Sequence, residues 1–114
     1  MSRPPLASRA CKPCEGGAEP LPADAARKLL NDLSGWELVE GTAIRKTITC
    51  KHFLDAVDTI RRIAPIAEAE DHHPDLHLTR YKRLTIELST HAIGGLSEND
   101  FILAAKIDQA LSGA

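Results

Sequence analysis

Glu68-Ala69-Glu70-Asp71-His72-His73-Pro74-Asp75-Leu76-His77-Leu78 is the stretch in which the hydrophobic period changes, and it decides the fold. Upstream, from about His52 to Glu70, the residues Phe53, Val57, Ile60, Ala64 and Ala67 recur at helical spacing. Arg61, Arg62, Glu68 and Glu70 fall largely off that stripe. Downstream, Leu76, Leu78 and Arg80 alternate with His77, Thr79 and Tyr81, the period of a strand with one face covered. Asp71 to Pro74 ends the helix, because a proline pushes the residue before it out of helical geometry. Within the helical stretch, Pro65 lacks an N–H and crowds the carbonyl of Arg61, which predicts a kink or a restart there.

Working outward, a turn at Lys82-Arg83 leads into a second alternating run. Leu84, Ile86, Leu88 and Thr90 share one face, and Thr85, Glu87, Ser89 and His91 the other. Gly94-Gly95 breaks the strand, and Ser97-Glu98-Asn99-Asp100 reads as a helix N-cap with an acid three positions on. Phe101, Ala104, Ala105, Ile107 or Asp108, and Leu111 trace that last helix. Toward the N-terminus, a helix begins near Pro22, carries Asp24 in its first turn and Ala25, Leu29, Leu30 and Leu33 at helical spacing, and stops at Ser34-Gly35. Trp36 and Leu38 then alternate with polar residues, Glu40-Gly41 supplies a turn, and Ile44, Ile48 and Cys50 share a strand face. The order α-β-β-α-β-β-α, with hairpin-linked strands, predicts an α+β fold: a four-stranded antiparallel sheet with three helices packed on one face.

The chain has 114 residues, 43% of them apolar and 26% charged, which suits one domain with a real core. The expected division is an N-terminal arm over residues 1–21, rich in Pro, Gly, Ala and Ser, and a single domain over 22–114. A domain this small gains from subunit contacts, so edge pairing and helix packing predict a homodimer or homotetramer. The formal charge of −2 provides no field for holding a phosphate backbone, which argues against direct nucleic-acid binding. No run has the length of a membrane span, and MSRPPLASRA lacks the apolar core of a secretory signal. Its arginines and serines suit an organellar presequence, whereas Pro4 and Pro5 oppose a long amphipathic helix. Three cysteines without framework spacing point to a reducing compartment, so a cytoplasmic location is expected. Cys11-Lys12-Pro13-Cys14 reads best as a tight turn: zinc would need a second ligand pair, and a redox motif would open a helix beside a strand.

Four of the five histidines, His72, His73, His77 and His91, lie within twenty positions. His73 and His77 have the spacing of a helical metal pair, but Pro74 removes the helical geometry. A small metal-binding domain, with Glu68, Glu70 or Asp71 as a carboxylate ligand in a loop, remains an alternative. Acid–base chemistry fits better. His72 and His73, leaving a helix side by side, address two sides of one pocket, and His91 supplies a third imidazole from the end of the last strand. Imidazole exchanges protons near working pH. Glu68 and Asp100 can fix histidine tautomers, although Asp100 has a second role open to it as a helix cap. His77 reads as a surface or packing residue. Strand parity puts His91 opposite Leu84, Ile86 and Leu88, so a bulge or bend near Thr90 is required. Nucleotide fingerprints and the Gly-x-Ser-x-Gly elbow are missing, and Cys50 faces inward, which leaves covalent catalysis without a good nucleophile.

Three blocks in order now carry a resemblance: Glu68 to Leu78, then Ser89-Thr90-His91, then Gly95-Leu96-Ser97-Glu98-Asn99-Asp100-Phe101 with Leu103-Ala104-Ala105-Lys106-Ile107-Asp108. Together with Trp36 and Phe53 they closely resemble the pterin-4a-carbinolamine dehydratases over roughly Pro22 to Leu111. Asp75-Leu76-His77-Leu78 and the Cys11-x-Pro13-Cys14 arm are similar to the plant and bacterial branch. The resemblance implies dehydration of a 4a-hydroxytetrahydropterin, the by-product of aromatic amino acid hydroxylation, to quinonoid dihydropterin. It implies His72, His73 and His91 as catalytic residues, Glu68 and Asp100 as supporting ones, and no metal or cofactor. It further implies a homo-oligomer linked in function to an aromatic amino acid hydroxylase. Pro65 departs from the family pattern, as do Leu76 and His77 where animal members carry an aromatic. Animal members also dimerise with a homeodomain transcription factor, so a non-catalytic partner module is the alternative from another class.

Overall fold

The computed structural model describes residues 6–8 and 19–112. Cys11 and Cys14, and most of the 1–21 arm, lie outside the described residues. The elements are α1 (Ala23–Leu30), β1 (Glu37–Val39), β2 (Ala43–Thr49), α2 (Phe53–Glu70), β3 (Asp75–Thr79), β4 (Arg83–Leu88) and α3 (Glu98–Ser112). Short 3-10 turns at Leu6–Ser8 and His91–Ile93 complete the order. The strands form one antiparallel sheet in the order β1-β2-β4-β3. The expected α-β-β-α-β-β-α architecture is the one observed.

Burial along β4 alternates as its sequence demands. Leu84, Ile86 and Leu88 are fully buried beneath the helices, while Thr85 and Glu87 face the uncovered side. Register carries this inward face across to β2, where Ile44, Lys46 and Ile48 lie opposite Leu88, Ile86 and Leu84. A lysine on the core side needs partners. Lys46 Nζ donates to Asp108 Oδ1 at 2.7 Å and to the Ser34 carbonyl at 3.0 Å, and lies 5.9 Å from the Trp36 ring centre. The Trp36 indole N–H also donates to Asp108, 3.0 Å from each carboxylate oxygen. Asp108 thereby ties α3 to the start of the sheet.

Three local expectations are refined. Of the kink or restart expected at Pro65, the restart does not occur: helix α2 runs as one element through that residue. Pro65 and Arg61 are both on the exposed side, so water can take the carbonyl that loses its N–H partner. The buried stripe of α2 is Ala56, Thr59, Ile63 and Ala67, whereas Phe53 is 54% exposed. Sequence periodicity missed Thr59 because its hydroxyl is polar, yet it donates to the Asp55 carbonyl of its own helix at 2.8 Å and is satisfied there. Finally, the β3–β4 turn comprises Arg80, Tyr81 and Lys82, the first two at φ 50 and 56, so of the expected Lys82-Arg83 pair only Lys82 belongs to it. Pairing of Thr79 with Arg83 makes Arg83 the first residue of β4.

Candidate active site

Helix α2 stops because Asp71 takes the left-handed conformation, φ 51 and ψ 42, which aspartate tolerates better than most side chains. The His72 N–H then reaches back to the Ala67 carbonyl at 3.2 Å, closing the helix end and reversing the chain. His72 and His73 leave this reversal on opposite sides. The His72 side chain is 14% exposed and turns inward; that of His73 is 55% exposed and turns out.

On the inner side, His72 Nε2 lies 2.6 Å from Asp100 Oδ1. Asp100 is fully buried in the first turn of α3. Its Oδ2 accepts the Ser97 N–H and the Thr90 hydroxyl, each at 2.9 Å. A buried carboxylate is costly unless donors surround it, and here an imidazole, a hydroxyl, a backbone N–H and the helix N-terminus all do. One residue therefore caps α3 and holds His72. Since an ionised carboxylate only accepts, Nε2 carries the proton of the His72–Asp100 bond, and Nδ1 of the neutral ring is left as an acceptor.

On the outer side, His73 Nε2 is 3.2 Å from Glu68 Oε2, with side-chain exposures of 55% and 77%. Solvent screens such a pair, so it orients His73 more than it stabilises the fold. His91 does not touch His72 or His73 through any hydrogen bond or ion pair. The strand β4 ends at Leu88, Thr90 bridges Gly95, and His91 opens a 3-10 turn closed by Gly94 at φ 67. This is the bend that strand parity required. His91 is exposed and lines a polar cavity of about 250 Å³ together with Glu87, Ser89, Thr90 and Gly95.

The β3–β4 ladder sets where these chain segments leave the sheet. It ends at Asp75 opposite Glu87, with His72-His73-Pro74 preceding it on one chain segment and Leu88 to His91 following on the other. His72 meets Thr90 through Asp100. His77 pairs with Thr85 on the uncovered face. Among the described residues no three His, Cys, Asp or Glu side chains converge as metal ligands.

Thr90 and Ser97 are the site residues that sequence reasoning passed over, one taken as a strand position and the other as a cap. Their hydroxyls lie 2.7 Å apart and complete the polar surround of Asp100. The available signal for Thr90 was its inward parity, which puts a hydroxyl where a hydrophobe would be expected.

A four-stranded antiparallel α+β fold in which a buried carboxylate holds an imidazole defines the class of this protein. Comparison with known proteins gives that class a name. The family model described as Pterin 4 alpha carbinolamine dehydratase matches residues 19–110. The mitochondrial pterin-4-alpha-carbinolamine dehydratase 2 of Arabidopsis thaliana is 42% identical over 91% of this chain and 58% of its own. A Nitrosomonas eutropha protein, provisionally given the dehydratase name, is 46% identical over 93% of each chain. The crystal structure of a transcriptional coactivator/pterin dehydratase from Brucella melitensis superposes with a TM-score of 0.74 at 31% identity, covering 81% of this chain and 98% of that one. The chain belongs to the pterin-4a-carbinolamine dehydratase family, which is a family of hydro-lyases.

Proposed function

We propose that this chain dehydrates a 4a-hydroxytetrahydropterin to quinonoid dihydropterin and water by histidine acid–base catalysis, within tetrahydropterin recycling. The observation that carries the reading is the Thr90–Asp100–His72 hydrogen-bond chain ending beside the His91 cavity. In the reaction the C4a–O bond breaks as the departing hydroxyl takes a proton, N5 releases one, and the C4a=N5 double bond forms. One imidazole serves each transfer. His72, with its tautomer held by Asp100, and His91, with its ring open to the cavity, take the two proton transfers. His73 positions the pterin and Glu68 orients His73. The pterin is itself the substrate, so the scheme calls on no metal or cofactor.

The same reading includes a homodimer or homotetramer in the cytoplasm, serving an aromatic amino acid hydroxylase as the source of the carbinolamine. Light scattering at micromolar concentration checks the assembly, and a monomer would refute it. The name of the Brucella melitensis structure supports a second reading, a module for a protein partner. A direct dehydration assay with 4a-hydroxytetrahydropterin separates the two. Turnover abolished by His91→Ala in a folded protein supports the enzyme; no turnover by the wild type leaves the partner module.

A further inference from the structure

We propose that Glu87 is a substrate-binding residue that selects 2-aminopteridines, its carboxylate accepting the N3–H and 2-amino donors of the pyrimidine edge; this rests on the reading above. Glu87 sits in β4, half-buried, on the face shared with Ser89, and lines the same cavity as His91. Among the described residues it makes no hydrogen bond or ion pair. Its cross-strand neighbours are Arg45 on β2 and Asp75 on β3. Arg45 is the obvious mate, yet its Nε stands 3.6 Å from Glu37 Oε1 instead. Asp75 brings a second negative charge beside Glu87, an arrangement that weakens strand pairing. Fold stability thus gives Glu87 little to do, while it lines the cavity with no acceptor engaged among the described residues.

Ligand chemistry supplies the match. A carboxylate binds two parallel N–H donors far better than one, as it does a guanidinium fork. The pterin edge at N3 and C2 presents such a fork, and C4a and N5 lie on the other side of the same bicycle. Same-face residues along a strand are roughly 7 Å apart, so Glu87 and the His91 turn two steps beyond can bracket one pteridine. Docked on Glu87 by its amino edge, the pterin turns C4a and N5 toward the imidazoles.

The test uses binding as well as turnover. Titration with 6-methyl-7,8-dihydropterin, which carries no 4a-hydroxyl, compares wild type with Glu87→Gln, and thermal melting confirms that both are folded. The variant is expected to bind the dihydropterin about tenfold or more weakly. The partner probe is 6-methyl-7,8-dihydrolumazine, whose C2 carbonyl replaces the amino group. Wild type rejects it by carboxylate–carbonyl repulsion; the glutamine amide can donate to that carbonyl, so Glu87→Gln narrows or reverses the preference. In the dehydration assay the variant raises KM with kcat little changed, as loss of uniform binding should. Equal discrimination between the two probes by wild type and variant overturns the proposal while leaving the dehydratase reading intact. Failure of the wild type to bind the dihydropterin or to dehydrate the carbinolamine overturns both.

Discussion

Replacing Asp100 by Asn tests the site at its most constrained atom. The amide oxygen can still accept the Ser97 N–H and the Thr90 hydroxyl that now reach Oδ2 at 2.9 Å. The NH2 group then faces His72 Nε2, where a carboxylate oxygen accepts at 2.6 Å in the native protein. A donor in that place forces Nε2 to become the acceptor and moves the ring proton to Nδ1. The packing is kept and the tautomer is inverted. Loss of charge on the cap and on the hydrogen bonds should cost about 2 kcal/mol, lowering Tm by about 10 °C in a domain of this size. That is a fraction of the about 5–15 kcal/mol that holds a typical domain folded, so the variant can be assayed. Its kcat for dehydration of 4a-hydroxytetrahydropterin should fall about a hundredfold or more, with a smaller change in KM. Steady-state kinetics and a thermal melt on the same preparation decide it. An Asp100→Asn protein that melts lower yet keeps kcat within about twofold would refute the claim that Asp100 acts by fixing the His72 proton.

Other outcomes follow from the same structure. His72→Ala or His91→Ala should lower kcat about a hundredfold or more, His73→Ala should chiefly raise KM, and His77→Ala should change neither in the same assay. A chelator should leave the wild-type rate unchanged; a strong loss would show that the proton-transfer scheme is incomplete. A Cβ on Gly95 would stand 2.8 Å from Pro20 Cβ, and the adjoining Leu21 N–H is fixed to the Leu96 carbonyl at 2.8 Å. Gly95→Ala should therefore destabilise by about 1–3 kcal/mol in urea unfolding. Lys46→Met removes the cation from Asp108 and should cost about 1–3 kcal/mol by the same measurement, with Asp108→Asn in the Met background recovering part of it.

By itself the sequence determined the architecture. Hydrophobic period distinguishes helix from strand without tertiary information, and Asp71 to Pro74 marks the switch between them. Hairpin-length connections then leave an antiparallel sheet as the outcome. The three separated blocks also identified the family, and the bend near Thr90 was legible from parity. What the sequence could not resolve depends on side chains meeting across elements. Thr59 and Lys46 face the core because local or long-range partners satisfy them, a fact invisible to a hydrophobicity pattern. The β3–β4 turn spans Arg80 to Lys82 because the register of β4 against β2 and β3, rather than turn propensity, fixes Arg83 as the residue where pairing resumes. Asp100 illustrates the division most clearly. Its place in the first turn of a helix follows from the capping pattern, but its hold on His72, twenty-eight residues away in sequence, exists only because the left-handed Asp71 reverses the chain toward the α3 N-terminus. Local periodicity builds the elements; the fold alone brings a buried carboxylate, a hydroxyl and an imidazole within hydrogen-bonding distance.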